Sequence, residues 1–222
     1  MLRQELSQRN VRWAVDHVYA HDVSLGRTPA VLYREDELGR HGNFLDRTYL
    51  RIRETPVWAR RLDKVHSSVK RALPSRDSGH RELDSSNSSD ALLMNIFCHP
   101  DTLAIPCVRR LLGVDAQIEA VFGYRPGIPL SNGRRDCTEV DLRLGNLLVE
   151  AKLTEYNFQT APRRLIERYR DLDDVFDVDR LNIHNDLVSS YQLIRVVLAA
   201  HATPEHRFCV LCDARRPDLV DA

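Results

Sequence analysis

The sequence lacks net charge, lysine and any long apolar run. Its 222 residues carry 32 Lys and Arg against 32 Asp and Glu, a formal charge of +0 with neutral His. That removes the strongly basic total by which a nucleic-acid binder is most easily recognised. No stretch approaches the roughly 18 apolar residues of a membrane span. Residues 1–20 carry charges throughout, with no apolar block of signal-peptide type, so the cytoplasm is the expected compartment. The five cysteines, Cys98, Cys107, Cys137, Cys209 and Cys212, are an odd set without a secretion signal, which argues for reduced thiols. Cys209 and Cys212 form a C-x-x-C without a second ligand pair. Residues 208–213 read as a buried strand, so structural thiols are expected there. No G-x-x-x-x-G-K-[ST] and no G-x-S-x-G occurs, which excludes a P-loop and a serine elbow. The nine histidines are scattered and none is assigned chemistry. Only Lys64, Lys70 and Lys152 are lysines. An arginine-rich chain is most simply a matter of genome composition, but it makes each lysine conspicuous.

What is present is a globular chain. Apolar residues make up 43%, enough for a core in one domain or one domain with an elaborated end. Residues 1–75 read as mainly helical. Val11, Val15, Val18 and Tyr19 recur at helical spacing, and a second stretch opens at Pro56 with Trp58, Leu62, Val65 and Val69 on one face. His41-Gly42-Asn43 is a turn between them. Arg51, Arg53, Arg60, Arg61, Lys64, Lys70 and Arg71 make this region basic, as a solvated surface or, less plainly, a phosphate-facing wall. Residues 76–90, with Ser85, Ser86, Asn87, Ser88 and Ser89, read as a flexible linker or loop. Residues 91–98 and 108–112 read as short helices. A third helix, capped by Asp115, is expected through Gln117, Ile118, Glu119, Val121 and Phe122 to Gly123. Residues 124–136 are a Pro- and Gly-rich loop.

The period then changes. Residues 138–144 alternate strictly, with Val140, Leu142 and Leu144 on one face and Glu139, Asp141 and Arg143 on the other. Gly145-Asn146 is a two-residue hairpin turn. Residues 147–153 return, with Leu147, Val149, Ala151 and Leu153 on the aliphatic face and Leu148, Glu150 and Lys152 on the other. A tight turn sets Leu144 opposite Leu147, Leu142 opposite Val149, Asp141 opposite Glu150 and Glu139 opposite Lys152. Opposed Cβ atoms lie roughly 4.5–5.5 Å apart, so four charged groups converge. Asp141 facing Glu150 is like charge on like charge, which a divalent cation would relieve. Mg²⁺ is typically held by one or two carboxylates with water and phosphate oxygens. Lys152, two residues past Glu150 on the same face, can stabilise charge on a phosphate or activate a water. The plainer reading is a charged hairpin face with a Glu139–Lys152 ion pair. An isolated E-x-K carries almost no information. An Asp, a tight turn, E-x-K on the return strand and an apolar opposite face are together more specific.

At these residues the chain resembles the PD-(D/E)xK nuclease superfamily, the restriction-endonuclease-like fold. Its motif is an Asp on one core strand followed by E-x-K on the next, which Asp141 and Glu150-Ala151-Lys152 match. No Pro precedes Asp141. Within the superfamily the chain most resembles uncharacterised restriction-endonuclease-like proteins. The resemblance covers residues 115–222 and implies an α/β fold, a mixed central sheet flanked by helices in α-β-β-β-α-β order. The catalytic domain would span residues 91–222, behind the helical N-terminal region. The first core strand has no evident place; it would lie in residues 127–136 or be absorbed by the hairpin. The resemblance further implies Mg²⁺ or Mn²⁺ held by Asp141, Glu150, the Ala151 carbonyl and Glu119, whose helix would supply the family's additional acidic residue. Lys152 would position or activate the nucleophilic water, and Glu139 would be an auxiliary ligand or the partner of Lys152.

Two further stretches bear on the site. Thr160-Ala161-Pro162 reads as the start of a helix over 161–176, with Leu165, Tyr169, Leu172 and Phe176 as its apolar face. Arg163, Arg164, Arg168 and Arg170 on its other sides suit phosphate recognition, or else pair with Glu167, Asp171, Asp173 and Asp174. Asn185 or Asp186 reads as the cap of a helix with Leu187, Tyr191, Ile194 and Leu198. On it, Gln192 is a candidate nucleic-acid contact, a role Gln has in some superfamily branches. The expected function is a metal-dependent nuclease hydrolysing phosphodiester bonds, with DNA as partner, no membrane, and a homodimer where two strands are cut. The alternatives are an inactive nucleic-acid-binding or assembly module retaining the fold, and a structural protein with a coincidentally charged hairpin.

Overall fold

The computed structural model describes residues 2–24, 28–65 and 81–220. Val69, Lys70, Arg71 and the linker residues 76–80 lie outside that set. The chain forms two compact units, Met1–Ala116 and Gln117–Ala222. Among the described residues no helix is long and apolar enough to cross a membrane.

The first unit is built largely of helices. It comprises α1 (Leu2–Asp16), β1 (His21–Val23), β2 (Val31–Tyr33), α2 (Asp46–Glu54), α3 (Pro56–Leu62), α4 (Ser89–Phe97) and α5 (Pro106–Leu112). The valine stripe is not its buried face. Leu2, Ser7 and Ala14 are buried in α1, whereas Val15 and Val18 are exposed. Val18 has φ 54, a left-handed residue that ends the helical path before β1. The turn at His41-Gly42-Asn43 needs its glycine, because a Cβ there would meet the Tyr33 ring at 2.4 Å.

The described part of the serine-rich stretch is packed, not a spacer. Ser86 Oγ accepts the Val31 N–H, Ser85 bridges Leu32, and Ser88 caps α4 by accepting the Ala91 N–H. Asp84, Ser85, Ser86 and Asp90 are buried. Short hydroxyl side chains mark loops, but they also satisfy buried backbone and helix ends. The stretch therefore belongs to the first unit, whose limit lies at Ala116 and not at residue 90.

The second unit begins with β3 (Ala120–Tyr124), β4 (Ile128–Pro129), β5 (Arg135–Asp136), β6 (Val140–Leu144) and β7 (Leu147–Lys152). It continues with β8 (Ala161–Pro162), α6 (Arg163–Ile166), α7 (Leu172–Val175), β9 (Ile183–His184) and β10 (Leu187–Val188). It closes with α8 (Tyr191–His201), β11 (Arg207–Cys212) and α9 (Pro217–Val220). Its main sheet has the order β11-β7-β6-β3, with β11 parallel to β7 and the other pairs antiparallel. The hairpin register is the expected one, Leu144 opposite Leu147 and Leu142 opposite Val149. Gly145 has φ +57 and Asn146 does not join it in the left-handed region, the pattern of a type II′ turn. Val140 and Leu148 of the sheet join Ile194, Val196 and Leu198 of α8 in one core.

Three expected helices are corrected. Residues 115–123 are not a helix: Ala120–Tyr124 is β3, paired with β6, and it supplies the core strand the sequence could not place. Val121, Phe122 and Tyr124 favour a pleated, half-buried surface once a partner strand is there. The helix over 161–176 is split into α6 and α7, because the intervening chain pairs with the β4–β5 hairpin instead. Asn185 and Asp186 do not cap α8. Their φ values of 49 and 62 make a tight turn between β9 and β10.

Candidate active site

Glu150 and Lys152 stand on β7, the strand between β11 and β6, and Asp141 stands on β6. The β6–β7 ladder stops after Leu142 and Val149. Beyond it the Asp141 side chain takes over, its Oδ2 accepting the Ala151 N–H at 2.8 Å. Asp141 is thus fixed against the backbone between Glu150 and Lys152.

Lys152 Nζ lies 2.8 Å from Glu150 Oε1, and the two side chains are only 5% and 1% exposed. Desolvating such a pair is costly, and geometry has to compensate. The Phe158 ring closes over the ammonium, 5.6 Å from centroid to Nζ. Phe158 is itself tied to α8, since its carbonyl accepts the Gln192 N–H at 3.0 Å. Glu150 Oε2 is buried and has no hydrogen-bond partner among the described residues. A buried anionic oxygen left unmatched costs on the order of 1–3 kcal/mol or more. Gln192 Oε1 is likewise buried and unmatched among the described residues.

Other expected members are elsewhere. Glu139 pairs with Arg125 at 3.1 Å, while Lys152 turns to Glu150. Glu119 is exposed and precedes β3, where Ala120 faces Leu144 at the turn end of the hairpin. At about 3.3 Å per residue that is roughly 13 Å along the strand from the level of Asp141, so Glu119 does not join the site. Among the described residues no three His, Cys, Asp or Glu side chains converge to hold a metal ion. Arg163, Arg164 and Arg168 are exposed, and Arg163 pairs with Glu167 at 2.7 Å. Cys209 and Cys212 are free and half-buried on β11, as structural thiols would be. Burial pushes the Cys209 thiol up from its ordinary value.

A supporting network enters from the segment before β6. The Asp136 carboxylate accepts hydrogen bonds from the Tyr169 hydroxyl (2.6 Å) and the Thr138 N–H (2.8 Å). The Tyr169 hydroxyl also lies 3.1 Å from that of Tyr191 on α8. Burial pushes the Asp136 carboxyl up, but the hydrogen bonds from Thr138 and Tyr169 and the charge of Arg195 outweigh it and hold it below its ordinary value. Arg195, buried on α8, donates to the Glu139 carbonyl at 3.0 Å. Sequence reasoning missed Phe158, Asp136 and Arg195. Only Arg195 left a signal there, a charge inside the apolar stripe of a helix.

The second unit thus carries Asp141 and Glu150-x-Lys152 on adjacent strands of a mixed four-stranded sheet. The family model described as Restriction Endonuclease associating with ARP matches residues 16–222, and the chain belongs to that family. Membership implies a DNA nuclease. No curated protein and no solved structure matches the chain.

Proposed function

We propose that the chain is a divalent-metal-dependent deoxyribonuclease whose catalytic residues are Asp141, Glu150 and Lys152. The observation that carries this reading is Glu150 Oε2, a buried carboxylate oxygen without a partner among the described residues, on the residue after Val149, where Asp141 displaces the ladder. Asp141, Glu150 and the Ala151 carbonyl would hold Mg²⁺ or Mn²⁺. Bound there, such an ion supplies Lewis acidity toward the scissile phosphate and the attacking water. Glu119 is not part of this set.

Lys152 is the cation that faces developing phosphate charge. Glu150 Oε1 aims its Nζ, and the Phe158 ring keeps water from the ammonium, which strengthens its field. Asp141 is oriented by the Ala151 N–H, so the carboxylate is positioned before substrate arrives. Within the second unit, the order β3, β6, β7, α8 and β11 is consistent with the β-β-β-α-β part of a restriction-endonuclease-like core and supports the reading. The family's description places such chains in association with ARP, and that association is the expectation for this chain.

Cleavage of single-stranded, double-stranded and branched DNA, with RNA beside it, in Mg²⁺ or Mn²⁺ tests the reading. Lys152→Ala and Asp141→Ala should each abolish cutting. Cutting that survives both changes defeats the assignment, and a wild-type chain that binds DNA without cutting it favours an inactive binding module.

A further inference from the structure

β4 and β5 form a short hairpin with Ile128 opposite Asp136 and Pro129 opposite Arg135. Its turn is tight. The Leu130 N–H donates to the Arg134 carbonyl at 2.9 Å, the Gly133 N–H donates to the Leu130 carbonyl at 3.0 Å, and Gly133 has φ +78. The hairpin is pinned to the chain after α6. Ser131 N–H donates to the Arg168 carbonyl (2.9 Å) and Arg170 N–H to the Pro129 carbonyl (3.1 Å). That pinning interrupts the expected helix and brings Arg170 beside Arg134 and Arg135.

Together they line a pocket of about 210 Å³ with Pro129, Ser131 and Gly133. No carboxylate belongs to the lining. Two of its guanidinium groups are oriented in advance. Arg135 Nη1 donates to the Gly127 carbonyl at 2.8 Å, and Arg170 is gripped by Asp171 through Nε (2.6 Å) and Nη2 (3.0 Å). The Arg134 guanidinium has no protein partner among the described residues. A planar fork with free donors matches phosphate oxygens, and a pre-oriented fork loses less freedom on binding.

We propose that this pocket binds a phosphate group of the DNA strand at a position flanking the scissile bond. The proposal rests on the nuclease reading above. Arg135 lies six residues before Asp141. Their separation is therefore at most about 22 Å. That bounds their Cα atoms; with roughly 12 Å of side-chain reach added and about 3.4 Å per nucleotide along a duplex strand, the phosphate held is within roughly ten nucleotides of the one cut. The same pocket chemistry would accept an internal phosphodiester or a terminal phosphate.

The test measures binding of the full chain to a fluorescent duplex without divalent metal, by anisotropy over a range of salt concentrations. Arg134→Ala and the double variant Arg134→Ala/Arg170→Ala are compared with Arg180→Ala, an exposed arginine of the same unit outside the lining. Arg134→Gln is carried beside them, and circular dichroism establishes that each variant is folded. The pocket variants should bind about 10-fold more weakly, and the slope of log affinity against log salt should shrink by about 1 for each arginine–phosphate pair removed. Arg180→Ala should match the wild type. A loss seen on duplexes with and without a 5′-phosphate identifies an internal phosphodiester. A loss confined to the 5′-phosphorylated duplex identifies a terminal one. Wild-type affinity and slope in the double variant overturn the pocket, as does a wild-type chain that binds no DNA. Failure of the nuclease reading is separate, because it shows as cutting that persists in Asp141→Ala.

Discussion

On Glu150 the two carboxylate oxygens have different surroundings, Oε1 against the Lys152 ammonium and Oε2 buried with no donor among the described residues. A cation binding the second oxygen would relieve that cost and stabilise the fold. With Mn²⁺ at about ten times its dissociation constant the gain is roughly 1.4 kcal/mol, or about 3–6 °C in a melting scan. Asp141→Asn can still accept the Ala151 N–H, yet it loses the charge, so that variant should melt like the wild type without metal and show no shift with it. Lys152→Arg should cut at least about 100-fold more slowly. A planar guanidinium does not replace a compact ammonium in a slot that leaves the side chain 5% exposed. Glu119→Ala, in contrast, should cut within about 2-fold of the wild type.

At the scale of elements, the Tyr169–Asp136 hydrogen bond joins the chain after α6 to β5. Tyr169→Phe should cost about 1–2 kcal/mol in urea unfolding at pH 7. The Asp136 carboxyl is held below its ordinary value of 3.8, so its contribution is complete above about pH 4. It is lost as pH falls through the lowered folded value. The gap between wild type and variant should therefore be full at pH 6–7 and shrink below pH 4. The hairpin was legible in the sequence because a two-residue turn fixes register and a period of two fixes faces. β3 was not, because Ile118, Val121 and Phe122 also fit a helical period. Only pairing with β6, remote in sequence, decides between them. Asn185-Asp186 misled for a related reason, since the same residue types serve as helix caps and as left-handed turn residues. Of the candidate site, register brought Asp141, Glu150 and Lys152 to one end of the hairpin, but the expected Asp141–Glu150 and Glu139–Lys152 pairs do not form, because the ladder ends at Leu142 and Val149. Phe158, Arg195 and the partner choice of Glu139 depend on packing across the fold, to which local periodicity is blind.

For the whole molecule, the zero charge conceals unlike distributions. In the first unit the basic residues are largely partnered from within. Arg61 and Lys64 meet Asp90, Arg53 meets Glu35, and Arg51 lies over the Trp58 ring. Asp90→Ala should thus destabilise the chain by about 2 kcal/mol, read by urea unfolding, and leave the salt dependence of DNA binding unchanged. In the second unit Arg134, Arg164 and Arg168 have no such partners among the described residues. The family match begins at residue 16 and so takes in most of both units.

The parallel pairing of β11 with β7 sets Cys212 beside Lys152 and Val210 beside Glu150. Of the four strands in that sheet, β11 is the last to leave the ribosome, after α8. Until it docks, β7 is an edge strand, with one row of backbone groups unpaired beside Glu150 and Lys152. A nascent chain that already contains Asp141, Glu150 and Lys152 therefore still carries two of them on an unpaired edge strand. Order of synthesis thus delays the finished centre until the closing strand has been made.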